Sequence, residues 1–343
     1  MTARHTLILP AACLLAAFLL PVSCTKQEPS GAGDPDEIRI SAGFPEAADP
    51  TTKTTFQTQD LLNTNGIKVD AYNQGTTDLF FSDKAEYNDG GWEFSGKHYW
   101  SEAKDATHNG RLDFFAYYPA DPSSACVSIG TYAASSPVFS CTALPLTNGG
   151  QSDAFEEFVF AFEADKGNLT GSSTGNTVNL AFHRPFARVC FQLVRSIECT
   201  MKSVTLTNIK NNGTCTCCAS SPYCAWASSG SERDFVITLN GTTGLNYPSD
   251  IRDNDYFDSQ KGYLVMPQAL GSDVRVELSY TLSSDPGTTK TAKATLGGTG
   301  VEWQPGYSYT YKLNVEGGET DVQLGVTVTA WVNGDPVLTT VEE

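Results

Sequence analysis

The length and composition of the chain describe a folded, acidic protein. It has 343 residues, and 22 Lys and Arg side chains stand against 39 Asp and Glu, for a formal net charge of −17. That balance repels phosphate backbones and anionic surfaces, so nucleic acid is not an expected partner. Hydrophobic residues make up 40% and charged residues 18%, which excludes global disorder. The 30 Gly and 17 Pro residues, set between short apolar runs, favour an all-β fold.

Residues 1–23 have the pattern of a lipoprotein signal peptide. A single positive charge at Arg4 precedes an apolar run over 7–20, which is too short to span a bilayer. Cys24 follows as in a bacterial lipobox, although Pro21 stands where Leu is usual. We therefore predict export, with lipid on Cys24 anchoring the protein to a membrane. Simple cleavage that leaves a structural Cys24 is the alternative.

Short runs of alternating apolar residues follow a polar tether, residues 24–36. Alternation begins at 37–44, where Ile38 and Ile40 share one face of the first predicted strand. Gly, Pro and Asn clusters separate the later runs, and this spacing indicates β-sandwiches. The later predicted strands are 67–72, 112–118, 158–162, 178–182, 187–194, 204–209, 274–280, 307–315 and 322–330.

A linker at 167–176, nearly free of apolar residues, divides the chain into two predicted domains, 37–175 and 176–343. It contains a Gly-x-Ser-x-Gly pattern at 171–175, which in a hydrolase lies between a buried strand and a helix. Polar residues precede the pattern and a β run follows it, so no nucleophile is predicted there. The nearby candidate base, His183, is predicted to be a surface or interdomain hydrogen-bonding residue. We expect no enzyme activity and no catalytic residue.

Eight Cys residues lie beyond position 24, an even number that permits disulfides in an exported protein. We predict one bridge between Cys126 and Cys141 and another within the loop 215–224. Thiolates in that loop are an alternative site for a thiophilic metal, but the paired spacing of a zinc site is missing. The acidic run 250–258 lacks the Gly and the terminal Glu of a calcium-binding loop. No metal and no cofactor are therefore predicted.

Seven motifs occur together along the chain. The most specific is Phe182–Val189, which reads Phe-His-Arg-Pro-Phe-Ala-Arg-Val. The others are Thr52–Phe56, Ala116–Pro119, Asp153–Ala161, Met266–Gln268, Trp303–Tyr309 and Val326–Trp331. In content and order these motifs resemble the fimbrillin family, exported lipoproteins that polymerise into the type V pili of Gram-negative anaerobes. The resemblance extends from the lipobox to near the carboxyl terminus.

That resemblance implies two transthyretin-like β-sandwich domains in tandem and a structural or adhesive role in a fimbrium. In the family, a protease cleaves at a basic residue after the first strand, and the vacated groove accepts a strand from the next subunit. Lys53 stands at that place here, and its cleavage would release residues 38–44 with the lipid anchor. Lys replaces the usual Arg, so the alternative is a subunit that keeps its lipid or never polymerises.

The strand donated to a neighbouring subunit is expected near the carboxyl terminus, in 322–330 or in 336–341. The implied partners are other pilus subunits, by strand exchange, the outer membrane, through lipid on Cys24, and ligands on host or bacterial surfaces. The implied location is the surface of the cell. The alternative function is a non-polymerising surface lipoprotein that binds glycans, with solvent-facing Trp side chains stacked on sugar rings. The first candidate segment places five apolar residues on one face: Val322, Leu324, Val326, Val328 and Ala330.

Overall fold

The architecture consists mainly of β-strands, which confirms the predicted all-β fold. Within the part of the chain that the structure describes, one α-helix and two short 3-10 helices accompany 23 strands. The computed structural model describes residues 34–45, 59–130, 132, 136–147, 151, 156–168, 176–220, 223–241, 243–257, 262–315, 322–330 and 339–340.

Nine strands and the helix precede residue 182. The helix is α1, Gln59–Asn65, and the 3-10 helices are Trp100–Ala103 and Pro122–Ala125. The strands are β1 Arg39–Gly43, β2 Ile67–Asn73, β3 Leu79–Asn88, β4 Gly91–Phe94, β5 Leu112–Tyr118, β6 Val127–Ile129, β7 Val138–Cys141, β8 Val159–Lys166 and β9 Thr177–Ala181.

Fourteen further strands follow. They are β10 Ala187–Arg195, β11 Cys199–Ile209, β12 Asn212–Cys217, β13 Cys224–Ser229, β14 Arg233–Thr238, β15 Leu245–Tyr247, β16 Tyr263–Val265, β17 Gln268–Ala269, β18 Arg275–Leu282, β19 Asp285–Thr295, β20 Glu302–Trp303, β21 Tyr307–Val315, β22 Val322–Ala330 and β23 Thr339–Thr340.

The strand β1 lies in a small parallel sheet with β9. This pair packs on one face of a five-stranded antiparallel sheet with the order β4-β3-β2-β5-β8. Alternation along residues 38–43 and along β9 turns Ile38, Ile40, Val178 and Leu180 inward, where they join Phe114 in one hydrophobic cluster. The first strand is thus an integral part of a layered core.

Strand β5 is buried along its whole length because both of its faces are covered. Phe114 and Ala116 face the cluster that contains β1, whereas Phe115 and Tyr117 face a second cluster. A four-stranded sheet with the order β13-β12-β7-β6 covers this second cluster. Its strands come from both sides of residue 175, and the division into domains 37–175 and 176–343 stays a prediction.

Two further sheets enclose the third cluster. One has the order β16-β10-β21-β22-β23, in which β10 and β21 run parallel. The other has the order β14-β11-β18-β19, with β15 also paired to β11. Phe191, Leu193, Leu206, Leu278 and Trp303 are buried between them. The result is a β-sandwich in which apolar alternation on both inner faces supplies the core.

The predicted strands agree with the observed ones to different degrees. The predictions for 112–118, 307–315 and 322–330 have the bounds of β5, β21 and β22. The remaining predicted strands are confirmed with shifted ends. Strands such as β19, most of whose residues are exposed, escaped prediction because they lack apolar alternation.

Candidate functional site

The residues predicted to act in assembly fall in three parts of the chain. Cys24 and Lys53 lie outside the described residues. Five predicted donor residues lie on β22, and the strand that cleavage at Lys53 would release lies within 34–44. We call the surface that holds residues 34–44 the first-strand groove. It is formed by β9, β4, the 3-10 helix Trp100–Ala103 and the start of α1. The donor residues are Val322, Leu324, Val326, Val328 and Ala330.

Apolar side chains hold the first strand in this groove. Ile38 and Ile40 expose only 2% and 5% of their surface. They pack in the same cluster as Leu62 of α1 and Leu180 of β9. Burial of an aliphatic side chain of this size contributes about 1.5–3 kcal/mol to stability. Removal of the strand would therefore uncover a sizeable apolar surface.

One backbone edge of the first strand pairs with β9. Five residues, Arg39 to Gly43, are in register with Thr177 to Ala181. Beyond the pair, the Phe182 N–H donates to the Gly43 carbonyl at 2.8 Å. The Ser41 hydroxyl donates to Asn179 Oδ1 at 2.9 Å. This edge is an ordinary parallel ladder, and any extended chain in the same place can make it.

Side chains satisfy the opposite edge of the first strand near its end. The Gln59 amide donates from Nε2 to the Ala42 carbonyl and accepts at Oε1 from the Phe44 N–H, both at 3.2 Å. The Trp92 indole N–H also donates to the Ala42 carbonyl, at 3.1 Å. Sequence reasoning missed Gln59, because a polar residue at the start of a seven-residue helix gives no sign of a contact 15 residues earlier.

The beginning of the first strand is held by backbone and carboxylate hydrogen bonds. The Ile38 N–H donates to the His98 carbonyl at 2.8 Å, and the Trp100 N–H donates to the Asp36 carbonyl at 2.9 Å. The Asp36 carboxylate accepts hydrogen bonds from the Ser101 N–H, at 3.1 Å to Oδ2, and from the Ser101 hydroxyl. Both ends of the segment are thus tied to the body of the protein.

A buried ion pair lies beside the end of the first strand. Arg184 pairs with Glu157, and their side chains are 4% and 1% exposed. The Arg184 guanidinium carbon lies 4.7 Å from the centre of the Phe44 ring, and that ring also contacts Phe182. A guanidinium over an aromatic face is attracted by the ring quadrupole. At this end of the groove, the Arg184 guanidinium therefore lies over the aromatic ring of Phe44.

The predicted donor strand, β22, is held by a long backbone ladder. Its nine residues pair antiparallel with β21, from Val322 opposite Val315 to Ala330 opposite Tyr307. On its other edge, β23 pairs with only two of its residues. The alternative donor, 336–341, contains β23, and its other residues lie outside the described part of the chain.

The cysteines agree with the sequence prediction in one place and differ in another. Cys215 and Cys224 form a disulfide, as predicted for that loop. The predicted bridge between Cys126 and Cys141 is wrong, since both thiols are free in the structure. Burial raises the pKa of the Cys141 thiol to about 12, so it is protonated at neutral pH. Within the described residues, no three His, Cys, Asp or Glu side chains are placed to hold a metal ion.

His183 is held by contacts with Phe160 and Tyr223. Its backbone exchanges two hydrogen bonds with Phe160, and its ring stacks on Tyr223 with 3.6 Å between ring centres. Burial lowers its pKa to about 4, so the ring is neutral at physiological pH. The Gly-x-Ser-x-Gly pattern at 171–175 lies outside the described residues.

The tryptophans within the described part of the chain face inward. Trp100 and Trp303 are buried, and Trp92 and Trp226 are half-buried with their N–H groups donating to backbone carbonyls. Among these four, no two form a stacked pair, and the side chain of Trp331 lies outside the described residues. This arrangement gives no support to the glycan-binding alternative. No helix among the described residues has the length and apolar character required to cross a bilayer.

Comparisons with known proteins agree with this architecture. A fimbrial protein from Bacteroides vulgatus has the same fold, with a TM-score of 0.58 at 12% identity over 87% of this chain and 100% of the other. The tip fimbrial protein Mfa3 from Porphyromonas gingivalis aligns with a TM-score of 0.42 at 9% identity, over 78% of this chain and 95% of its own. No protein of curated function matches the sequence. The model of the fimbrillin-like family matches residues 49–331, and the chain therefore belongs to that family.

Proposed function

We propose that this protein is a structural subunit or adhesin of a cell-surface pilus, without enzyme activity. It is exported as a lipoprotein, with lipid on Cys24 holding the precursor to the outer membrane. Cleavage at Lys53 then removes the first strand, and a strand of another subunit fills the first-strand groove. Family membership supports the fimbrial role, and the contacts of residues 34–44 support the exchange step.

The observation that carries this proposal is the way in which residues 34–44 fill their groove. Two isoleucines enter the core, and both backbone edges are hydrogen-bonded. Apolar burial at about 1.5–3 kcal/mol per side chain, with hydrogen bonds at about 1 kcal/mol net, gives a docking energy on the order of 10 kcal/mol. In sequence, Lys53 lies between this strand and α1, so a single cut separates the strand from the body.

An extended segment from another subunit offers the same two kinds of contact. Its backbone pairs with β9, and alternate apolar side chains fill apolar space that the first strand leaves. The candidate donors are 322–330, with Val322, Leu324, Val326, Val328 and Ala330 on one face, and 336–341. Exchange by either segment joins subunits head to tail, which produces an open filament.

Controlled cleavage tests the proposal. The purified protein is treated with a trypsin-like protease, its new amino terminus is sequenced, and fibres are sought by electron microscopy. We expect a new terminus at Thr54 together with fibres, and neither for Lys53→Ala. Truncation after Gly318 should abolish the fibres while leaving cleavage intact. Degradation without fibres, or fibres from the truncated chain, would contradict the proposal.

A further inference from the structure

We propose that the first-strand groove selects a glycine, and that Gly325 of a second copy of this chain takes the place that Gly43 holds here. The inference rests on the proposed strand exchange, to which it adds the register and the choice of donor segment. It follows from the contacts around Gly43 and from one short sequence match. The selecting group is the side-chain amide of Gln59.

The Gln59 amide lies directly against Gly43. It bonds to the carbonyl before this residue and to the N–H after it, at Ala42 and Phe44. A neighbouring parallel strand would hydrogen-bond to the same two backbone groups, the Ala42 carbonyl and the Phe44 N–H. A Cβ atom built on Gly43 would lie 2.6 Å from Gln59 Oε1, far inside van der Waals contact. A side chain at this position therefore requires the Gln59 amide to move, which disturbs both hydrogen bonds.

Contacts within α1 fix the direction of the amide. Gln59 Nε2 also donates to Asn63 Oδ1 at 2.8 Å, one turn further along α1. Leu62 of the same helix is fully buried in the cluster beneath the first strand. Gln59 follows Lys53 in the sequence, so cleavage leaves this amide on the body of the protein. It is thus in place for the next strand that enters the groove.

One of the two candidate donors carries a glycine in the required pattern. Residues 40–44 read Ile-Ser-Ala-Gly-Phe, and residues 322–326 read Val-Gln-Leu-Gly-Val. In both, apolar residues occupy the first, third and fifth positions, and glycine occupies the fourth. The segment 336–341 reads Pro-Val-Leu-Thr-Thr-Val and contains no glycine. The match therefore selects 322–330 as the donor and pairs Gly325 with the Gln59 amide.

Peptide competition tests this assignment. The full chain is cleaved after Lys53, and displacement of a labelled 36–46 peptide from the groove is followed by fluorescence anisotropy. The competitors are the peptide 320–331, its Gly325→Ala variant, its Thr327→Ala variant as a matched control, and the peptide 334–343. We expect Thr327→Ala to compete within about twofold of the native peptide and Gly325→Ala to be about tenfold weaker, because both hydrogen bonds to the Gln59 amide are weakened.

A double-mutant cycle separates the amide from other causes of weak binding. On Gln59→Ala protein, whose fold is checked by urea unfolding, the native and Gly325→Ala peptides should compete within about twofold of each other. A Gly43→Ala tracer provides the same comparison on the unaltered protein, where it should bind about tenfold more weakly than the native tracer.

The outcomes distinguish this inference from the proposed function. Equal competition by the native and Gly325→Ala peptides on unaltered protein overturns the glycine selection. A penalty that persists on Gln59→Ala protein overturns the role of the amide. Stronger competition by 334–343 than by 320–331 overturns the choice of donor. If the native 36–46 tracer does not bind the cleaved protein, strand exchange itself fails, and the inference fails with it.

Discussion

The first strand and the predicted donor strand are held in different ways. Strand β1 pairs with β9 over only five residues, and side chains provide most of its other contacts. Strand β22 pairs with β21 over nine residues, and within the described part of the chain the two-residue β23 pairs with its other edge. The first strand thus has a short ladder supplemented by side chains on its other edge, whereas β22 has a backbone ladder along its whole length.

This difference bears on the proposed replacement of one strand by another. The backbone of a strand forms the same hydrogen-bonded ladder at any suitable sheet edge, and this is what the proposed exchange requires of β22. The first-strand groove adds two requirements, apolar residues on alternate positions and a backbone that fits the Gln59 amide. The predictions that follow alter the contacts on the β1 side, from the largest expected effect to the smallest.

The largest effect is expected from the two isoleucines of the first strand. Replacing Ile38 and Ile40 by Ala leaves cavities in a packed cluster and should cost about 2–5 kcal/mol for each in urea unfolding. Arg39→Ala, between them and partly exposed, is the matched control and should change stability by less than about 0.5 kcal/mol. If the alanine variants are as stable as this control, β1 is not part of the core.

Breaking the buried ion pair should have the next largest effect. Arg184→Met removes the positive partner of the buried Glu157 carboxylate, at a cost of about 3–5 kcal/mol in the same assay. The double variant with Glu157→Leu removes both charges and should recover most of that loss. No recovery in the double variant would show that the contact with Phe44, rather than the ion pair, provides the stability.

Strands of clear apolar alternation were predictable from the sequence, and the contacts that hold them were not. The bounds of β21 and β22 agree with the prediction because each run is long and apolar at alternate positions, and those of β5 agree because its run is apolar on both faces. Helix α1 was missed because seven residues with one buried Leu show no helical period. The Gln59 amide was missed for a further reason: its partner is a backbone, which leaves no pattern in side chains.

Acid should loosen the end of the groove near His183. Its pKa is about 4 in the folded protein against about 6.5 when unfolded, so the unfolded chain binds more protons between these values. The free energy of unfolding is therefore fully maintained above about pH 6.5 and falls as the pH drops to 4. Because the His183 side chain is partly exposed to solvent, the expected loss of unfolding free energy is reduced to about 2 kcal/mol. We expect a flatter pH profile for His183→Asn.

The smallest effect is expected at the beginning of the first strand. Ser101→Ala removes the hydroxyl that donates to the Asp36 carboxylate but keeps the backbone N–H bond to the same group. The expected loss is about 1 kcal/mol in urea unfolding. Ser95→Ala removes another exposed hydroxyl, which donates to the Lys84 carbonyl and not to the first strand. After cleavage at Lys53, only Ser101→Ala should speed the release of the first strand.

The most direct measurement is a thiol crosslink between subunits. Ser41 is in register with Asn179, and the match of Gly43 with Gly325 places Gln323 where Ser41 lies now. Fibres grown from cleaved Asn179→Cys/Gln323→Cys protein are treated with a short bismaleimide and separated under reducing conditions. We predict a ladder of covalent multimers that neither single variant produces. Fibres that show no such ladder, or that crosslink equally well through Thr327→Cys in place of Gln323→Cys, would contradict the account.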